Sequence, residues 1–334
     1  MMKDFIILLL IIFTFSACEA VLFEDDPAED NPIANFDALW KELDEGYSFF
    51  EYKNIDWDSV YNVYRPKVKE NTKVIELYDI MSDMLYTLRD GHVNLQAGFN
   101  RSRNWQWFLD YPPNFDEEIL LRNYWKDEQW YTGALINMDM GEVGYIRYPS
   151  FSSRISGSEI DFVLARFEKK KGIILDLRDN GGGFSDIPIL LASRFAAQKT
   201  LAYTVVVKNG PAHNDFSDPI NVFVEPEGRY QFKKPVIILT NRMCYSATNF
   251  FVAIMQNFPQ VKVIGDWTGG GGGTPASGEL ANGWIVRYSS TQTLTPDGFN
   301  IEGGIPPDIK VDLTEADRTK GKDTILERAL AELK

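Results

Sequence analysis

Ser246 stands where a serine can do chemistry. The run 236–239 before it is continuously apolar and mostly β-branched, which predicts a strand buried on both faces, and residues 247–255 after it predict an apolar helix. The first turn of a helix offers unpaired N–H groups and the positive end of the dipole, so a serine there can act as a nucleophile beside an oxyanion site. Serine also caps helices often, and the junction by itself leaves both roles open. A second stretch sharpens the picture. Residues 172–177 predict another buried strand, which runs through a polar turn into Gly181, Gly182 and Gly183. Such glycines let the backbone bend and approach a ligand with bare N–H groups. Neighbouring strand-loop-helix units would then supply the nucleophile Ser246 together with oxyanion donors, the N–H of Ala247 and one from Gly181, Gly182 or Gly183. The glycines meet neither G-x-G-x-x-G nor a phosphate loop ending in Gly-Lys-Ser/Thr.

Five segments in order carry a family likeness: DGHVNL at 90–95, GIILDLRDNGGG at 172–183, the Ser246 stretch, VIGDWTG at 263–269 and IEGGIPPDIKV at 301–311. Together they resemble the carboxyl-terminal processing (tail-specific) proteases and their tricorn-core relatives, over a span from about Phe36 to the C-terminus. The resemblance implies an α/β, ClpP/crotonase-like core of repeated strand-helix units with a small N-terminal helical domain. It implies a serine peptidase acting on a peptide or protein substrate without a cofactor. It also implies roles: Ser246 as nucleophile, His92 as the general base of the tricorn-like branch, and Glu302 as the acid that closes the catalytic set. A serine needs such a base because its proton is held too tightly at neutral pH, where imidazole titrates.

Two departures from the family pattern bear on mechanism. The processing-protease branch carries a lysine base after T-x-G, but here residues 269–273 are all glycine, so the role falls to His92. Five glycines in a row are expected to form a mobile wall of the site. The tricorn-like branch has a serine before its histidine that helps link it to the glutamate, and this chain has Gly91. The link to Glu302 is then expected to run through water or another hydroxyl, or Glu302 is structural. Cys244, two residues before Ser246, is a rival thiol nucleophile, for which a small buried apolar role is expected. Other classes compete as well. One is a peptide-, lipid- or glycan-binding protein that keeps the fold without the chemistry. Another is an esterase using the same serine and histidine, although the G-x-S-x-G elbow is absent. With two histidines and no H-E-x-x-H, no metal site is expected.

The remainder of the 334 residues must position these groups. Residues 1–17 read as a signal peptide, with Lys3 before an apolar run too short to span a bilayer. Small residues before Cys18 resemble a bacterial lipobox, which implies a lipidated cysteine and a membrane anchor in the bacterial cell envelope. Residues 18–32 are expected to be an acidic tether. Residues 33–95 show helical spacing at Phe36, Leu39, Trp40 and Leu43 and again at Tyr78, Met81 and Leu85, and are expected to form the helical N-terminal domain. Residues 96–334 are expected to form the peptidase core. Only about fifty residues separate Leu95 from the strand at 144, too few for a PDZ module. The aromatic-rich segment between them is read as packing, and His213 as a loop residue. A formal net charge of −14 makes nucleic acid an improbable partner.

Overall fold

In the computed structural model the described residues are 30–126 and 128–334. The expected signal peptide, Cys18 and nearly all of the acidic tether lie outside them. Among the described residues no helix is long and apolar enough to cross a membrane. The tether was expected to end at 32, but helix α1 (Pro32–Gly46) already begins there, with the Asn31 side chain accepting from the Ala34 N–H. Proline suits a first helical position, since its missing N–H would have no partner. Helices α2 (Trp57–Tyr64) and α3 (Val74–Tyr86) follow, then strand β1 (Asn94–Gln96).

The core contains strands β2 (Trp130–Thr132), β3 (Leu135–Met140), β4 (Val143–Arg147), β5 (Gly172–Asp176), β6 (Thr200–Val207), β7 (Ile220–Val224), β8 (Val236–Thr240), β9 (Val261–Gly265), β10 (Pro275–Glu279), β11 (Ile285–Ser289), β12 (Thr291–Leu294) and β13 (Ile309–Lys310). Seven of them form one sheet in the order β13-β9-β8-β5-β4-β3-β2, parallel from β4 through β13. On one face lie helices α4 (Gly157–Arg166), α5 (Ile187–Ala192) and α6 (Ala247–Met255); the other face takes α7 (Thr324–Glu332) with Leu120 and Trp125. The unbroken apolar runs now have their reason. Ile173 and Leu175 of β5 pack with the first layer and Ile174 with the second, so no position on the strand meets water.

Two arrangements join segments distant in the sequence. Strand β6 does not join the main sheet but pairs with β7 and β12 in a separate three-stranded sheet. Nor does the helical N-terminal region bury its apolar face alone. Phe36, Leu39, Leu43 and Leu85 share a core with Leu280, Trp284, Val286 and Tyr288, on or beside β10 and β11. Strand β1 pairs with β11, so a late hairpin fixes the strand that follows His92.

A buried charge cluster ties the C-terminal helix to the end of β5. Arg178, fully buried, binds Asp176 through Nη2 at 2.6 Å and Asp323 through Nη1 at 2.8 Å, and Asp323 caps α7. Asp176→Ala leaves a buried guanidinium short of its partner and is expected to lower unfolding free energy by about 3–5 kcal/mol. Removing the exposed Arg154–Asp186 pair is expected to cost under about 1 kcal/mol. Urea unfolding of the two variants side by side checks the contrast.

Candidate active site

Strand β8 ends at Thr240, and the chain turns through Asn241 to Tyr245 before α6. Ser246 occupies the cap position of that helix, yet its side chain makes no capping hydrogen bond. Its backbone sits at φ 55°, ψ −122°, a conformation that side-chain-bearing residues seldom adopt and that costs on the order of 1–3 kcal/mol. The Ser246 N–H donates to the Gly270 carbonyl at 2.9 Å, and its own carbonyl accepts from the Phe250 N–H at 3.0 Å. The hydroxyl is thereby aimed out of the helix. It meets His92, whose Nε2 lies 3.0 Å from Ser246 Oγ.

His92 comes from the turn between α3 and β1 and is 3% exposed. Burial, above all, pushes its pKa down to about 4; Asp90 opposes this, while Arg287, Arg103 and Lys53 reinforce it. The imidazole is therefore neutral at pH 7 and able to accept a proton. Its Nδ1 has no hydrogen-bond partner among the described residues. Asp90 holds the turn rather than the ring: its Oδ1 accepts the His92 backbone N–H at 2.7 Å, and its Oδ2 accepts from Tyr47 at 3.1 Å and Ser289 at 3.0 Å. Tyr245 packs edge-on against His92 and stacks on Trp107 at 4.0 Å. The aromatic segment read as packing does include packing behind the candidate site.

The oxyanion candidates separate. Among the described residues no backbone carbonyl or side chain takes the N–H of Ala247 or of Gly183. Gly182 lies against Ser246 but already donates its N–H to Asn180 Oδ1 at 3.0 Å. A cavity of about 370 Å³ opens beside Ser246, lined by Gly183, Phe184, Pro188, Tyr203, Ala247 and Phe250 among others. Gly181 is not part of that lining. Asn180 organises the loop, its Oδ1 also accepting from Thr248 at 2.7 Å and its Nδ2 donating to the Tyr148 carbonyl at 2.8 Å. Cys244 is buried, its Sγ donating to the Leu177 carbonyl at 3.0 Å, and burial pushes its thiol pKa up. A thiol held neutral and away from the cavity is not the nucleophile. His213 pairs with Asp44 at 2.8 Å and stacks on Phe50, apart from this cavity. Among the described residues no group of His, Cys, Asp and Glu is placed to hold a metal ion.

Residues 142–311, half of the chain, match the model of peptidase family S41. The chain belongs to peptidase family S41. Residues 29–86 also match the tricorn protease C1 domain. Staphylococcus aureus proteins named "Probable CtpA-like serine protease" are 31% identical over 175 residues, which is 52% of this chain and 34% of theirs. The chain thus spans about a third of the length of these curated relatives. A crystal structure of a candidate peptidase from Parabacteroides merdae is similar at 44% identity and a TM-score of 0.88, covering 91% of this chain and 97% of that one. The photosystem II D1 C-terminal processing protease shares the fold at 15% identity and a TM-score of 0.55, covering 89% of this chain and 99% of that one. The family resemblance and the α/β fold class read from the motifs are borne out.

Within family S41 the chain departs from the expected site in two ways. Glu302 does not reach His92. Its Oε1 pairs with Lys53 at 2.7 Å and its Oε2 accepts the Gly272 N–H at 2.9 Å. Lys53 also stands 3.6 Å from Asp90, so one buried cation serves two carboxylates. Lys53 is nearer Glu302, but Asp90 gathers more donors. Burial and then repulsion from Asp90 leave Glu302 the easier to protonate despite Lys53, its pKa pushed up to about 7. Where the tricorn-like branch has a hydroxyl, a Cβ on Gly91 would lie 2.5 Å from Trp107 Nε1 and 2.9 Å from the Tyr245 hydroxyl. Spacing offered no signal for Lys53 or Trp107.

The glycine run, expected to be mobile, is instead buried and bonded. Gly269 donates to the Cys244 carbonyl at 2.8 Å and Gly271 to the Glu302 carbonyl at 3.2 Å. At Gly270 an added Cβ would fall 1.9 Å from the Glu302 oxygen, so the glycines are demanded by close backbone approach. Gly271, after Thr268-x-Gly270, has φ +77°, and a Cβ there would strike the Tyr245 ring at 2.6 Å. The lysine base of the other branch has no room here.

The His92 imidazole should titrate near pH 4 rather than 6.5, as followed by its ring proton shifts in NMR. The unfolded chain binds this proton at higher pH than the folded one. The His92 contribution to stability is therefore complete above about 6.5 and declines as pH falls through that window toward 4. A ring titrating at 6 or above would refute the buried geometry.

Proposed function

We propose that the chain is a serine peptidase that hydrolyses peptide bonds, with Ser246 as nucleophile and His92 as base. The observation that carries this is the 3.0 Å contact between His92 Nε2 and Ser246 Oγ at the edge of a largely apolar cavity. Neutral His92, with its proton on Nδ1, takes the Ser246 proton through Nε2 as Oγ attacks the carbonyl carbon of the substrate. The imidazolium then gives that proton to the leaving amine, and water hydrolyses the acyl-enzyme by the same base. Each tetrahedral oxyanion is received by the N–H groups of Ala247 and Gly183. The Asp90 charge favours the imidazolium. Glu302 acts on the base indirectly, by positioning Lys53 and through it Asp90.

A second reading, a peptide-binding protein without turnover, draws on one observation, the His92 Nδ1 that no acid orients. Mass spectrometry of a diverse peptide library incubated with the soluble chain decides between them. Ser246→Ala and His92→Ala should each lower kcat/KM about a thousandfold or more while melting as the wild type does. Wild-type cleavage by either variant would sink the assignment, and a library bound but uncut by wild type would favour the second reading.

We further propose export and lipid anchoring in a bacterial cell envelope, supported by the short apolar run that leads to Ser16, Ala17 and Cys18. Cys18→Ala should move the protein from the membrane fraction to the soluble one; a variant that stays with the membrane counts against lipidation.

A further inference from the structure

The cavity beside Ser246 carries a cation that the proposed chemistry does not use. Arg287 lies on β11 opposite Asn94 of β1 and lines this cavity with Phe184, Tyr203 and Phe250. Among the described residues its guanidinium has no hydrogen-bond or ion-pair partner. Two more arginines stand near. Arg101 donates through Nε to Asn94 Oδ1 at 3.1 Å, and Arg103 through Nε to the Gly91 carbonyl at 2.7 Å. Neither has a carboxylate partner among the described residues. Partial burial, and then the charge of Arg101, push the Arg287 pKa below its usual value. The acid whose charge acts on Arg287 and Arg103, Asp90, is already engaged by Lys53, Tyr47, Ser289 and the His92 N–H.

The grouping runs against composition, since the chain has 48 acidic and 34 basic side chains. Arg287, left without an acid in so acidic a chain and set in the wall of a cavity lined largely by apolar groups, makes a receptor for an anion. A planar guanidinium matches a carboxylate in a two-point fork, and apolar walls strengthen the pair by excluding water. We infer that Arg287 is a specificity-determining residue that draws a substrate carboxylate into the Ser246 cavity. Peptides bearing one, at the chain terminus or on an Asp or Glu side chain, are taken in preference to neutral peptides. The inference rests on the reading of this cavity as the peptide site. A bound carboxylate also offsets part of the positive field on His92, so the base strengthens once the substrate is seated.

Binding to the Ser246→Ala protein tests this without requiring turnover. The probes are four fluorescein-labelled octapeptides of one alanine-leucine sequence, with a free or amidated C-terminus and with Glu or Gln inside. By fluorescence polarisation the peptides with an added carboxylate should bind about ten- to a hundredfold more tightly than the neutral parent. Arg287→Gln should erase the difference, and Arg287→Lys should restore part of it, with unchanged thermal melts for both. A preference for the free terminus alone identifies the terminal carboxylate as the group read, and one for Glu alone the side chain; both support the inference. Equal binding of all four, no binding of any, or a preference that survives Arg287→Gln overturns it. Failure of the peptidase reading shows separately, as a bound peptide that the wild-type chain leaves uncut.

Discussion

The backbone of Ser246 is the constraint on which the candidate site depends. At φ 55° it cannot relax into helix α6 without turning its hydroxyl away from His92, and nothing local in Cys244, Tyr245 or Ala247 favours that angle. It is held from three sides. The Tyr245 N–H donates to Asn180 in the glycine loop, the Ser246 N–H to Gly270, and Gly269 returns a bond to Cys244. The two glycine segments are thus the partners that over-determine the strained residue. This explains why Gly182 and Gly270 tolerate no side chain: each backbone must approach the Tyr245–Ala247 turn or the Glu302 carbonyl more closely than a Cβ permits.

The same closeness limits which side chains can reach Ser246. A lysine at 271 would need both a left-handed backbone and the volume filled by Tyr245. Tyr245 in turn stacks on Trp107 and shields His92. With that wall in place, His92 approaches Ser246 from the other side, on the turn before β1. Pairing of β1 with β11 brings it there.

Much of this was legible in the sequence because burial writes itself into composition. The runs at 172–175 and 236–239 are apolar throughout since helices cover both faces of the sheet, and the junction at Ser246 followed from them. What stayed hidden arises between segments distant in sequence. Lys53 meets Glu302 across 249 positions, and Tyr288 closes a core begun by Phe36, contacts that no periodicity encodes. The glycine run misled for a related reason. Five glycines have high intrinsic freedom, but here the freedom is spent on backbone contacts that only the folded chain supplies. Nor are the pairing partners of β6, which lies in a sheet apart from the main one, written in its own residues.

Electrostatics set the remaining terms. His92 sits between one engaged carboxylate and several cations, so burial and local charge together hold it neutral in the free protein. In the proposed mechanism a neutral base is ready to accept the Ser246 proton but gains little from doing so unless the imidazolium is stabilised. The nearest fixed stabiliser is Asp90, one residue beyond Gly91, acting through the turn rather than through Nδ1. Its charge is in turn maintained by Lys53, which Glu302 shares. Glu302, which the motifs linked to the histidine only through water or another hydroxyl or else left as structural, pairs with Lys53. Among the described residues no hydrogen bond reaches Nδ1, and the field of the Lys53, Asp90 and Glu302 cluster surrounds the imidazole instead.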